Sequence, residues 1–265
     1  MGKSVRKRTG NGRKFIIEFH RTYLVVALGF VLTGYYLNLI IFTTLILIHE
    51  LGHCCVARSF GVKVKKVVIY PFGGMTRFED FVNRDIQVEL LIAVSGVIMQ
   101  FFFYLIICFL NYQGFIRDYT MNLYTLYSNQ MIFFNLMPVY PLDGGKIVYL
   151  LLCKFFCYAT ANVLIVMISG MVLVILVFLN IYSCNYSNVM IMGLLFFYLM
   201  DFFRKRKYLY QRFLLERYLY SIQYPRLKVV DRMEKMYKNR THLFFYKGGY
   251  VAEKDMLERR FKGKF

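Results

Sequence analysis

The stretch LIIFTTLILIHELGH, residues 39–53, decides the reading of this chain. Its first ten residues carry no charge and belong to a membrane-spanning helix, and its last five place His49, Glu50 and His53 at the end of that run. Two histidines four apart lie one helical turn apart on one face, so both imidazoles can reach one cation. Glu50 projects beside them, where it can hold or deprotonate a metal-bound water. Ionisable groups inside a bilayer are costly and point to function. The bland alternative, a helix face whose histidines are satisfied by neighbours, needs three polar side chains in one turn of a span without purpose.

The composition agrees with a membrane setting. Of 265 residues, 58% are hydrophobic and 19% aromatic, against roughly 45–50% apolar in soluble domains. The net charge of +19 is segregated. Residues 1–22 hold seven Lys or Arg against one acid, and residues 201–265 hold eighteen against seven. Nucleic-acid binding, the other usual meaning of strong positive charge, is not expected, because the basic residues flank apolar spans as the positive-inside rule requires. They also suit contact with anionic membrane lipids. No small-residue cleavage site follows the basic N-terminal stretch, so a secretory signal is not expected. The six cysteines form no CxxC pair, and packing is their expected role.

Spans of about 20 apolar residues are expected from Tyr23 to about Leu37, Asn38 to about Ala57, Leu90 to Leu110, and Met121 into the 135–143 region. Residues 155–200, without a single charge, supply two more, divided near 180–188. Six spans place both termini on one side, and the basic ends make that side cytoplasmic. The expected fold class is an all-α polytopic membrane protein of six transmembrane helices, with a small membrane-associated β-hairpin and a short α/β C-terminal tail. The chain divides into a basic N-terminus 1–22, a membrane unit 23–203 and a basic C-terminal region 204–265. The hairpin is expected at 62–78, where Val, Lys and Ile partly alternate before Pro71, Gly73 and Gly74. A surface hairpin and one lining a wet cavity at membrane depth both fit that pattern.

Catalytic zinc generally takes three protein ligands and keeps a fourth position for water. Asp143 is the best candidate for the third, being the only acid between Asp118 and Asp201 and following the irregular stretch NLMPVYPLDGG. Pro138 and Pro141 break any helix there. The competing role for Asp143 is to cap the helix that begins near Lys146. Glu79, Asp80, Asp85 and Glu89 are weaker rivals. Gly73 and Gly74 are expected to let a substrate backbone approach an exposed strand edge.

HELGH in a span, PFGG after it, N-x-x-P-x-x-P-L-D-G at 135–144 and FLLERYLY at 213–220 together resemble the site-2 protease family of intramembrane metalloproteases, over residues 20–220. The similarity is strongest to its sporulation branch, which processes a membrane-associated precursor of sigma-K. The resemblance implies zinc held by His49, His53 and Asp143, Glu50 as catalytic base, and Asn135 and Pro138 at the substrate or oxyanion. It implies a membrane-tethered protein substrate, inhibitory membrane-protein partners, the mother-cell membrane around a forespore, and adenine nucleotide such as ATP at a shortened CBS-like C-terminal domain. A plain basic tail is the alternative for that last region, and a homo-oligomer stays open. One departure is Ser95-Gly96-Val97, where many members have a Gly-Pro pair that bends the third span. Other tethered substrates, an anti-sigma factor or a signal-peptide remnant, fit the same motifs. A transporter with a midplane ion site fits less well, since the two halves show no internal repeat.

Overall fold

Glycine and proline punctuate an otherwise helical chain. The computed structural model describes residues 16–71, 73–79, 81–180, 186–246 and 248–263, and side chains outside 180–188. Strand β1 (Ile16–Phe19) leads into α1 (Arg21–Leu32) and α2 (Tyr36–Ser59). The expected division of the first apolar stretch falls at Gly34, whose φ of 80° turns the chain between the two helices. Strands β2 (Val64–Tyr70) and β3 (Gly73–Phe78) follow, then α3 (Ile86–Tyr112), α4 (Asp118–Leu136), α5 (Asp143–Phe155), α6 (Tyr158–Asn180) and α7 (Tyr186–Tyr220). The chain closes with β4 (Leu227–Val230), a 3-10 turn at Met233–Lys235, β5 (Thr241–Tyr246), β6 (Gly249–Ala252) and α8 (Glu253–Lys262).

Among the described residues, three helices are long and apolar enough to cross a bilayer: Tyr36–Ser59, Ile86–Tyr112 and Tyr158–Leu179. At 12 residues α1 rises only about 18 Å, short of the ~30 Å hydrocarbon thickness. Helix α4 is long enough but carries Asn122, Ser128, Asn129, Gln130 and Asn135. Helix α7 runs unbroken from its apolar first half through Arg204-Lys205-Arg206-Lys207 to Tyr220, so FLLERYLY continues the same helix. Helix α3 is also unbroken through Ser95-Gly96-Val97.

The expected hairpin at 62–78 is present, with β2 and β3 antiparallel and Val67 opposite Thr76. It is one strand larger than expected. Residues 16–19 pair in parallel with β2, making a sheet of order β1-β2-β3. Four residues inside a basic N-terminus give too short an alternation to announce a strand, and pairing with β2 supplies what local pattern lacks. Val67 and Ile69 are buried in this sheet, and Ile69 joins the core formed with α1, α2 and α4. The second sheet, β4-β5-β6, packs with α8 against α6 and α7.

Helices α2 and α3 cross where small residues meet. A Cβ on Gly52 would lie 2.5 Å from the Ser95 carbonyl and 2.8 Å from the Met99 Cβ. Small residues at such crossings let helix backbones approach closely inside membranes. This crossing sets the floor of the site described next.

Candidate metal centre

His49, Glu50 and His53 share the inner face of α2 and are all buried. Their ligand atoms lie within 4.8 Å of one another. Asp143 arrives from the opposite direction. It is the first residue of α5 rather than its cap: Leu142 is the N-cap, and it makes no side-chain capping bond. The connection from α4 folds back over the start of α5, which works only with Gly144 there, because a Cβ would strike the Leu136 carbonyl and lie 2.6 Å from that of Met137. The freed Asp143 carboxylate reaches across to α2. Its Oδ2 is 2.9 Å from His49 Nε2 and 3.0 Å from His53 Nε2, and the two nitrogens are 3.2 Å apart.

The protonation pattern decides what this triangle is. His53 Nδ1 lies 2.6 Å from the Ile92 carbonyl, which can only accept, so Nδ1 carries the proton and a neutral His53 presents a lone pair at Nε2. With the His49 proton on Nδ1, both Nε2 atoms and Asp143 Oδ2 turn lone pairs towards one another, the donor set that a cation would join. Zinc bonds of about 2.0–2.2 Å in tetrahedral geometry hold ligand atoms about 3.4 Å apart, a few tenths of an ångström wider than the triangle found. Gly96 of α3 completes the cradle: a Cβ there would lie 2.6 Å from His53 Nε2 and 2.7 Å from His49 Nε2, filling the place of a metal. The donor set and the space both fit zinc.

Glu50 is fixed by the hairpin. Thr76 of β3 donates to Glu50 Oε2 at 2.5 Å. Gly74, two residues away on the same face of the strand, lies against the Glu50 side chain so closely that a Cβ would come 2.7 Å from its Oε1. Gly74 therefore makes room for Glu50. Gly73 has open space around it and a φ of 148°. Asn135 is half-buried in the last turn of α4, and Pro138 lies in the α4–α5 connection. Among the described residues neither hydrogen-bonds to the histidines, Glu50 or Asp143.

The rival acids are engaged elsewhere. Asp85 caps α3 by accepting from the Gln87 N–H, Glu89 pairs with Lys238, and Glu79 lies 3.8 Å from Lys63. Asp80 lies outside the described residues. Four contributors carried no signal in the sequence reading: Thr76, Gly96, the Ile92 carbonyl, and Lys146, which donates to Asp143 Oδ1 at 2.8 Å. The only local hint was position, since Lys146 stands one turn after Asp143 and Gly96 sits where the third span departs from the usual Gly-Pro.

A membrane helix carrying HELGH, met by a lone aspartate from a Pro-rich loop and covered by a β-hairpin, defines a class: membrane-embedded metalloproteases. The chain belongs to peptidase family M50, the site-2 protease family, whose model matches residues 37–117. It is 32% identical over 198 residues to Stage IV sporulation protein FB of Bacillus subtilis, covering 74% of this chain and 68% of that protein. It is 29% identical over 195 residues to the zinc metalloprotease MJ0392 of Methanocaldococcus jannaschii, spanning 68% of this chain but only 56% of the relative. The solved site-2 protease from Methanocaldococcus jannaschii superposes with a TM-score of 0.55 at 26% identity, over 70% of this chain and 89% of that one. The chain is thus a membrane protein of the intramembrane metalloprotease family.

Proposed function

We propose that this chain is a zinc endopeptidase that removes the pro-sequence of a membrane-associated sigma-K precursor at the cytoplasmic face of the mother-cell membrane around a forespore. The observation that carries the reading is the convergence of His49, His53 and Asp143 beside a hydrogen-bonded Glu50. Similarity to a protein named for stage IV of sporulation supports the substrate class.

In this reading His49, His53 and Asp143 hold the zinc. The chemistry the ion supplies when bound is acidification of a water towards a pKa of about 7 and polarisation of the scissile carbonyl. Thr76 occupies Glu50 Oε2, which leaves Oε1 to accept the proton of the attacking water and return it to the leaving amine. Asn135 and Pro138 flank the substrate or the developing oxyanion. A helical substrate hides its carbonyls and must first be extended. The outer edge of β3, the last strand of its sheet among the described residues, suits capture by strand addition, and it lies directly over Glu50.

The six crossings of this reading are α1, lengthened by the non-helical residues 33–35 that follow it, α2, α3, α4, α6 and the first half of α7, with both termini cytoplasmic. The charge asymmetry supports it, as does the packing of the C-terminal sheet near the start of α3, where Glu89 meets Lys238. The test is co-expression with a sigma-K-type precursor in a bacterial host. Cleavage by wild type and none by Glu50→Gln is the expected result. Equal cleavage by both would remove Glu50 from the mechanism.

A further inference from the structure

The two oxygens of Asp143 are divided between different partners. Oδ2 faces both histidine Nε2 atoms, while Oδ1 accepts from Lys146 Nζ at 2.8 Å. Lys146 stands three residues further along α5, so the pair bridges the first turn of that helix. The carboxylate is 5% exposed and the lysine side chain 47% exposed. The lysine therefore reaches in from the open side and grips the oxygen that points away from the histidines.

We propose that Lys146 is a positioning residue that restricts Asp143 to a single-oxygen contact with the metal. The inference rests on the zinc reading given above. A carboxylate can offer a metal one oxygen or both. A catalytic zinc needs three protein ligands and one position left for water, and a second oxygen from Asp143 would crowd that position and raise the coordination number above four. By binding Oδ1, Lys146 keeps the position open and orients Oδ2 towards His49 and His53. Partners that hydrogen-bond a ligating carboxylate typically govern metal affinity by about 10- to 100-fold. The bland alternative is an ordinary helix-surface ion pair three residues apart. Such a pair would stabilise α5 only slightly and leave the metal untouched.

The experiment compares wild type, Lys146→Met, Lys146→Arg and His49→Ala as full-length chains in detergent. Zinc affinity is read by chelator competition, coordination by the visible spectrum after cobalt substitution, and folding by helix content on heating. Lys146→Met keeps the side chain's length and lacks the donor. It is expected to bind zinc about 10- to 100-fold more weakly and to lose cobalt absorption as the coordination number rises above four, with melting unchanged. Lys146→Arg, which can still donate to Oδ1, is expected to restore both. Wild-type affinity and spectrum in Lys146→Met would overturn the proposal, as would an arginine variant as impaired as the methionine one. Wild type binding zinc no better than His49→Ala would overturn the metal-site reading itself, and this inference with it.

Discussion

Two of the buried polar clusters among the described residues are built on opposite principles. In the C-terminal cluster, Arg217 places five donor bonds on five acceptors: Asn83 Oδ1, Glu253 Oε1 and the carbonyls of Arg240, Tyr237 and Lys238. Five is all that a guanidinium has. Glu253 also accepts from the His242 backbone N–H and from Nδ1, and His242 Nε2 accepts from the Tyr237 N–H. Glu216 takes the N–H groups of Val82 and Asn83. Among the side chains of Arg217, Glu253 and His242, each named donor meets an acceptor. At the metal centre the count fails. Two histidine Nε2 atoms and a carboxylate oxygen converge on one another, and among the described residues the buried His49 Nδ1 has no hydrogen-bond partner. A buried polar cluster that balances is holding the fold together. One with surplus lone pairs is shaped for something else.

The sharpest way to separate the two is to remove one charge from each. Glu50→Gln is expected to lower cleavage by at least about 10²–10⁴-fold while zinc content stays at the wild-type level, read by metal analysis of the purified chain. A variant that still cuts at full rate would break the comparison on the catalytic side. Arg217→Met should do the reverse. It strands the buried Glu253 carboxylate and several carbonyls, so the C-terminal module should lose about 3–5 kcal/mol, measured by hydrogen exchange in β4–β6. Zinc affinity should hold, and a fall in it would mean that the C-terminal cluster also shapes the metal site.

Gly74→Ala is expected to act between these extremes. Its Cβ would collide with Glu50, and a base displaced by about an ångström costs on the order of 10- to 100-fold in turnover. Zinc binding should not change, and unaltered turnover would show that Glu50 has room to yield. The smallest effect concerns pH. Burial pushes the His242 imidazole below its ordinary 6.5, outweighing the contact with Glu253, and the Arg217 and Arg240 charges add to the depression. The unfolded chain therefore takes up the proton first. His242 contributes its full stability above about pH 6.5 and loses it as pH falls from there through the lower folded value. Glu253 is pushed up by burial, yet the His242 bond and Arg217 leave it lowered overall, so its contribution also fades on acidification. Melting of the C-terminal module at pH 5.5 should come below that at pH 7.5, and His242→Gln should flatten the difference.

Much of the site was legible because its parts are local. HELGH fixes a helix face by spacing alone, and PLDGG announces a lone carboxylate on broken backbone. Pro71, Gly73 and Gly74 mark the hairpin turn. What was not legible depends on contacts between distant segments. Thr76 looks like any strand residue until β3 is laid over α2, and the Ile92 carbonyl is chemically the same as every other. Ser95-Gly96-Val97 read as a departure from a family Gly-Pro pair, whereas the lack of a side chain at Gly96 opens the space between the histidines. Strand β1 escaped notice because four residues carry too little pattern, and the length of α7 because its second half is basic. Gly74 was expected to serve the substrate backbone; the structure gives it the nearer task of clearing Glu50.

The placement of Gly74 and Thr76 on one face of β3 also constrains how this gene can change. A strand alternates its faces, so sliding β3 by a single residue against β2 would present Met75 and Arg77 to Glu50. Arg77 would then set a guanidinium against the carboxylate that should accept a proton. Among descendants of this sequence, insertions and deletions between Gly73 and Phe78 should survive only in pairs. Length variation of any parity should gather instead beyond Phe78, where the chain has already left Glu50 behind.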